Sequence, residues 1–132
     1  MRGIADQRDV GEKGLHVTGE SCAVVWKVRV VKAYAEAYIH LLIGRVLARD
    51  GVCVELDCRS FHFGRVVNNL KDARVGDWGA RIVPWLHIEI INVLPQRFDP
   101  REAELDLDGE GNILLKDRVY GCSIVTSREP RH

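Results

Sequence analysis

Residues 42–64 have the sequence LIGRVLARDGVCVELDCRSFHFG, which contains the clearest strand and turns of the chain. Asp50 followed by Gly51 predicts a tight turn. Hydrophobic residues at 52, 54 and 56 then alternate with polar or small ones, as in a strand with one buried face. The alternation breaks at residues 58–60, where we expect a turn or a bulge. Residues 52–57 and 61–67 are therefore predicted to form a hairpin.

The segment before this stretch has a different period. Between residues 32 and 43, KAYAEAYIHLLI, apolar residues recur at helical spacing and the alanines favour a helix. The sequence predicts an amphipathic helix there, with His40 on its surface. Gly44 disfavours its continuation, and residues 44–49 fit either a last helical turn or a first strand.

A second β-rich block follows at residues 80–95, ARIVPWLHIEIINVLP. Two short strands around a tight turn fit it best, because proline interrupts a ladder and β-branched residues disfavour a helix. A continuous helix over residues 86–94 is the competing interpretation. Residues 1–21 are expected to be a flexible arm, residues 22–97 the β-rich core and residues 98–132 an acidic hairpin extension with a tail.

The 132-residue chain has the composition of one globular domain. Its 19 basic and 19 acidic residues cancel, which excludes a global basic footprint for nucleic acid. The charge is uneven, with 11 Lys or Arg against 7 Asp or Glu in residues 24–97, and 2 against 7 in residues 98–117. We find no signal peptide and no apolar run long enough to span a membrane, so we expect a cytoplasmic protein with free thiols.

Cysteine and histidine chemistry has little support in the sequence. Cys53, Cys58 and His62 are close together, but a strand turns Cys53 and Cys58 to opposite faces, which disfavours both a zinc site and a disulfide. No nucleophile elbow, Cys–His signature or phosphate-binding glycine loop is present. We therefore predict a protein that is not an enzyme.

The acidic segment from residue 106 to 117, DLDGEGNILLKD, has the spacing of a calcium loop. Asp106, Asp108, Glu110 and Asp117 occupy ligand positions, and Gly111 permits the sharp turn. The last ligand position has Asp instead of the longer Glu, and only one such loop occurs. A β-hairpin with an acidic glycine turn is the alternative. Calcium is the one candidate ion.

Basic residues concentrate around the predicted hairpin, interleaved with Phe61, His62 and Phe63. Arginines contact phosphates and rings stack on bases, so this arrangement suits single-stranded RNA. The alternative is that the phenylalanines belong to the core and the arginines serve solubility. The predicted RNA-binding residues are Arg59, His62 and Arg65.

The block from residue 42 to 95 resembles the Sm-like family, the small β-barrels that include the bacterial RNA chaperone host factor. Gly44, Val46 and Asp50 match the family's strand pattern, VCVEL supplies the next strand, and RIVPWLHIEIINVLP is similar to the fourth and fifth strands. The helix at residues 32–43 would be the family's N-terminal helix. The base-binding motifs of the family are not present.

The resemblance implies a bent five-stranded sheet that assembles into a ring. We therefore expect an α+β fold, with an N-terminal helix, a strongly bent antiparallel sheet or small open Sm-like β-barrel, and a C-terminal β-hairpin extension. The expected function is that of a non-enzymatic Sm-like binding and assembly module, a homo-oligomer that contacts RNA. The alternative function is a calcium-binding or structural domain.

Overall fold

The computed structural model describes residues 24–32, 38–64 and 67–125. These residues form antiparallel strands and two short 3-10 helices, and none of them forms an α-helix. The strands are β1 (Val25–Val30), β2 (Ile39–Arg49), β3 (Cys53–Phe63), β4 (Arg74–Val75), β5 (Gly79–Pro84), β6 (Ile88–Leu94), β7 (Glu104–Leu107), β8 (Ile113–Lys116) and β9 (Gly121–Val125). The 3-10 helices are Leu70–Asp72 and Trp85–His87.

Six of these strands form one antiparallel sheet that is not closed into a barrel. β1 lies between β2 and β6, and β2 pairs with β3. The far edge of β3 pairs with two short strands, β5 along its first half and β4 near its end. β3 is therefore bonded along both of its edges.

The prediction of an α+β fold with an N-terminal helix is wrong for the described part of the chain. From Ile39 onward the predicted helix is strand β2, while residues 33–37 lie outside the described residues. Leu41 and Ile43 pack on one face of β2 and Leu42 on the other. A strand that is buried on both faces has apolar residues at consecutive positions. Such a run also contains apolar pairs at helical spacing, so the sequence pattern cannot distinguish it from a helix.

The turn predicted at Asp50 and Gly51 is confirmed, but it joins β2 to β3. The Asp50 carboxylate accepts hydrogen bonds from the backbone N–H groups of Val52 and Cys53, at 2.8 and 2.9 Å. The predicted break at residues 58–60 is wrong, since β3 continues to Phe63. The apolar residues of β3 change from even to odd positions because a separate hydrophobic cluster covers each face of the sheet.

The two faces of β2 and β3 carry separate hydrophobic clusters. In β3, and in β2 as far as Val46, even-numbered residues form the even face, where Leu42, Val54 and Leu56 pack with Trp26 and Val83. Odd-numbered residues form the odd face, where the second cluster covers Leu41, Ile43, Phe61 and Phe63 with residues from 94 to 124. Both clusters contain side chains that are almost inaccessible to solvent, so each supplies hydrophobic stabilisation.

The C-terminal residues form a three-stranded sheet in the order β9-β8-β7. β7 and β8 form a hairpin, the alternative interpretation of the acidic segment, and β9 adds a third strand. This sheet packs against the odd face of the larger sheet through the buried side chains of Ile113, Leu115 and Cys122. Residues 80–95 form the two predicted strands, with a short 3-10 helix where a tight turn was expected, and the competing helix over residues 86–94 is wrong.

Candidate anion-binding site

A stacked pair of histidines lies on the even face. His40 of β2 and His62 of β3 are directly opposite each other, with ring centroids 3.9 Å apart and planes inclined by 27°. The pair lies beyond Leu42, toward the end of the β2–β3 ladder, and both residues are half-buried. Two imidazoles are therefore held face to face by strand register.

Two arginines from the neighbouring strands accompany this pair. Arg74 of β4 is the cross-strand partner of His62. Arg81 of β5 reaches β3, and its guanidinium donates a hydrogen bond to the backbone carbonyl of Cys58 at 3.1 Å. Arg74 also lies over the ring of Tyr38, 6.0 Å from its centroid. We call the group His40, His62, Arg74 and Arg81 the His–Arg patch.

The electrostatics of the patch are those of a positive site. Burial lowers the pKa of His40, and the charges of His62 and Arg81 lower it further. Burial likewise lowers the pKa of His62, followed by the charges of Arg74 and Arg81. The charges that shift these two pKa values are thus all positive. The imidazoles are neutral at neutral pH, while both arginines remain charged.

The loop before β4 has fixed geometry, which places Arg74. Asn69 caps the 3-10 helix by accepting a hydrogen bond from Lys71 N–H at 2.9 Å, and Asp72 accepts one from Asn69 N–H at 3.2 Å. After β4, the Gly76 N–H donates to the Ser60 carbonyl at 2.8 Å. A Cβ at position 76 would meet the Ser60 hydroxyl, which would have to rotate away.

The predicted RNA-binding residues do not all lie together. Arg59 and His62 are three residues apart in one strand and therefore point to opposite faces. Arg65 lies outside the described residues. Arg59 lies over the ring of Trp78, at 5.4 Å, and Arg101 also lies over this ring, at 4.5 Å. Only His62 belongs to the His–Arg patch.

Trp78 and the two arginines join the sheets on the odd face. Arg101 donates two hydrogen bonds to the carboxylate of Asp57, at 3.1 and 3.2 Å. The arginine therefore connects the segment before β7 to β3. Arg59 Nε is buried there and has no hydrogen-bond partner.

The carboxylates of the predicted calcium loop are directed to different partners. Asp106 forms an ion pair with Lys116 at 3.5 Å. Asp108 accepts hydrogen bonds from the backbone of Glu110 and from both the backbone and the side chain of Asn112, at 2.8 to 2.9 Å. These bonds, with the Asn112 side chain first, lower the pKa of Asp108. Asp108 thus fixes the β7–β8 turn.

The fourth predicted ligand, Asp117, belongs to the next turn. It accepts hydrogen bonds from the N–H groups of Asp99, Val119 and Tyr120, at 2.7 to 2.9 Å. Within the part of the chain that the structure describes, no three His, Cys, Asp or Glu side chains are grouped to hold a metal ion. Calcium binding stays a prediction.

The thiols resolved in residues 24–125 are free. Burial raises the pKa of Cys58 and of Cys122, so both are weakly nucleophilic. In the described ranges, no helix is long and apolar enough to cross a membrane.

Comparisons with protein-family models, with curated protein sequences and with solved structures give no match to this chain. The Sm-like resemblance is therefore still a prediction from the residues.

The sequence did not reveal three members of the patch. The helical period of residues 32–43 predicts His40 on the surface of a helix. No pattern in the sequence singles out Arg74 or Arg81. One signal was present in the sequence: His62 and Leu56 are separated by an even number of residues, so both side chains lie on the same face of β3. His40 lies beside His62 only because β2 pairs with β3, and the sequence does not specify that pairing.

Proposed function

We propose that the protein is a non-enzymatic binding and assembly module that binds single-stranded RNA at the His–Arg patch. The observation that carries this proposal is the stacked His40–His62 pair flanked by Arg74 and Arg81. Arginines bind phosphates through charge and directed hydrogen bonds. Imidazole rings supply flat faces on which unpaired bases stack.

Kinship with the Sm-like family is part of the proposal. Gly44 and Val46 lie in β2, and Asp50 caps the turn that follows. These positions agree with the family's order of glycine, hydrophobic residue and aspartate before a turn. The support for membership of the family therefore consists of these three positions. RNA binding by this protein would be independent support.

Filter binding of oligouridylate across a salt series tests the RNA site. We expect Arg74→Gln to weaken binding and to reduce the slope of log affinity against log salt by about 0.7 for each lost phosphate contact. Arg29→Gln is the matched control, because Arg29 lies in β1 and forms an ion pair with Glu89. Wild-type protein without salt-dependent binding, or equal losses in the two variants, would contradict the proposal.

Assembly is proposed to use the outer edge of β6. In the described structure β6 pairs only with β1, and Ile90 and Val93 are 46% and 71% exposed. Glu89 is the single charged residue of the strand. An unprotected apolar edge is a template for another strand. A second copy fits, since two antiparallel β6 edges are self-complementary.

The solution mass measured by light scattering tests this assembly. We expect a homo-oligomer for the wild type and a lower mass for Val93→Lys, because a lysine at the edge opposes strand pairing. Leu86→Lys is the control, since Leu86 is 90% exposed and lies in the 3-10 helix before β6. A wild-type monomer throughout the concentration range would refute the assembly.

A further inference from the structure

The two imidazoles of the His–Arg patch are close enough for one to sense the charge of the other. Their rings stack at 3.9 Å, and the β2–β3 register places their backbones directly opposite each other. When one imidazole binds a proton, its positive charge lies next to the second titratable ring. The pair is therefore sensitive to any anion placed beside it.

The groups around the pair come from three strands and from the residue before β2. β4 contributes Arg74 and β5 contributes Arg81. Tyr38, which precedes β2, lies under Arg74, and on β3 the buried thiol of Cys58 lies 3.7 Å from the Arg81 guanidinium. Both permanently charged side chains in this set are cationic, so the unliganded site disfavours protonated imidazole.

We propose that RNA binding at this site is coupled to proton uptake by His40 and His62, so that affinity rises as the pH falls. The inference rests on the proposed function and adds its regulation. Phosphate oxygens beside the rings would supply the negative charge that the site lacks. Binding then shifts each imidazole toward its protonated form, and a proton enters with the RNA.

The sign of the effect follows from linkage. In the free protein, burial and the neighbouring positive charges lower the pKa of both histidines below the ordinary 6.5. A bound phosphate raises it again. At a pH between the histidine pKa values of the free protein and those of the complex, the complex holds more protons than the free protein. Acidification in this range therefore favours the complex. Above this range both states hold neutral imidazoles, and Arg74 and Arg81 sustain the residual affinity.

Oligouridylate is the suitable probe, because uracil takes up no proton in mildly acidic solution. Between about pH 7.5 and about pH 5.5 we expect affinity to increase by roughly three- to tenfold. We expect the salt slope to steepen by about 0.7 for each imidazolium that contacts a phosphate. Equal affinity at both pH values overturns the proton coupling.

The double variant His40→Gln with His62→Gln should bind more weakly at about pH 7.5, because it loses the two stacking rings and keeps only Arg74 and Arg81. The binding that remains should not depend on pH. Arg74→Gln is the comparison variant. It should bind more weakly at both pH values and should keep the pH dependence that comes from His40, whose pKa is lowered by burial, His62 and Arg81. Unchanged pH dependence in the double variant overturns the inference. Salt-dependent binding at about pH 7.5 without a pH effect refutes only the coupling, whereas no binding at any pH also refutes the proposed function.

Calorimetry on the wild type provides a second measurement that needs no variant. Binding heats in two buffers with different ionisation enthalpies give the number of protons taken up. We expect net uptake at about pH 6 and much less at about pH 8. Zero uptake at about pH 6 overturns the inference even if the double variant fails to fold.

Discussion

Gly44 lies directly opposite Cys58 across β2 and β3, and a Cβ at position 44 would lie 2.5 Å from the Cys58 Cα. The obstacle is backbone, which cannot rotate away. We expect Gly44→Ala to lower the free energy of unfolding by about 3 kcal/mol, the upper range for overpacking. Urea unfolding measures this.

Gly79→Ala is the matched control for that substitution. Gly79 is the cross-strand partner of Cys58 on its other side, yet a Cβ there meets no atom within 4 Å. We expect a change in unfolding free energy of less than about 0.5 kcal/mol. Similar stability of the two alanine variants would show that β2 and β3 are not packed this closely.

Leu115 tests the contact between the two sheets. It lies in β8, is 3% exposed and packs in the odd-face cluster. We expect Leu115→Ala to cost about 2–5 kcal/mol, because it removes buried methyl groups and leaves a cavity. Leu86→Ala removes the same atoms from a side chain that is 90% exposed, and it should change stability by less than about 0.5 kcal/mol. Equal costs would mean that the sheets do not share a core.

The histidine pair predicts an effect of pH on the unliganded fold. The pKa values of His40 and His62 are lowered from 6.5, so the unfolded chain binds these protons more readily than the native protein. Stability is therefore complete above about pH 6.5 and falls as the pH decreases through the lowered values. We expect a lower melting temperature at about pH 5.5 than at about pH 7.5.

Replacing both histidines isolates this effect from that of the acidic groups. Melting of His40→Gln with His62→Gln should depend less on pH in the same range, because glutamine does not titrate. Carboxylates with lowered pKa values act at more acidic pH and leave the comparison intact. An identical pH dependence in the double variant would assign the effect to other groups.

Asp108 is expected to hold the β7–β8 hairpin through its bonds to Glu110 and Asn112. Asp108→Ala leaves those N–H groups without their acceptor, so the hairpin amides should exchange faster with solvent. Asp106→Ala removes only an exposed ion pair with Lys116 and should have a smaller effect. Hydrogen exchange followed by NMR compares the two variants.

A calcium titration of the same proteins tests the loop's other interpretation. Binding heat in the wild type that disappears in Asp106→Ala would support a calcium site, and its absence in both would support a purely structural turn. If exchange in the hairpin is as slow in Asp108→Ala as in the wild type, the turn does not depend on this carboxylate.

Local signals in the sequence predicted two local features correctly, although the break expected at residues 58–60 is wrong. Asp50 and Gly51 form the expected turn, and proline at 84 separates β5 from the 3-10 helix before β6. Such features depend on the conformational preferences of a few adjacent residues. They can be read without knowing which distant segments approach them.

Features that depend on tertiary burial were predicted less well. Ile39 to Ile43 were assigned to a helix because both faces of β2 are covered, by different clusters. The site was missed for a related reason. His40 meets His62 only through β2–β3 register, and Arg81 joins them through β5. No spacing within a single strand contains that information.

The position of β1 in the sheet has a consequence for synthesis of the chain. β1 is made first among the described strands, yet one of its two neighbours is β6. While the ribosome makes the intervening residues, which takes seconds, Val25–Val30 has an open hydrogen-bonding edge rich in valine. Slow translation between β2 and β6 should therefore favour aggregation, and a chaperone that covers β1 during this interval should increase the yield of folded protein.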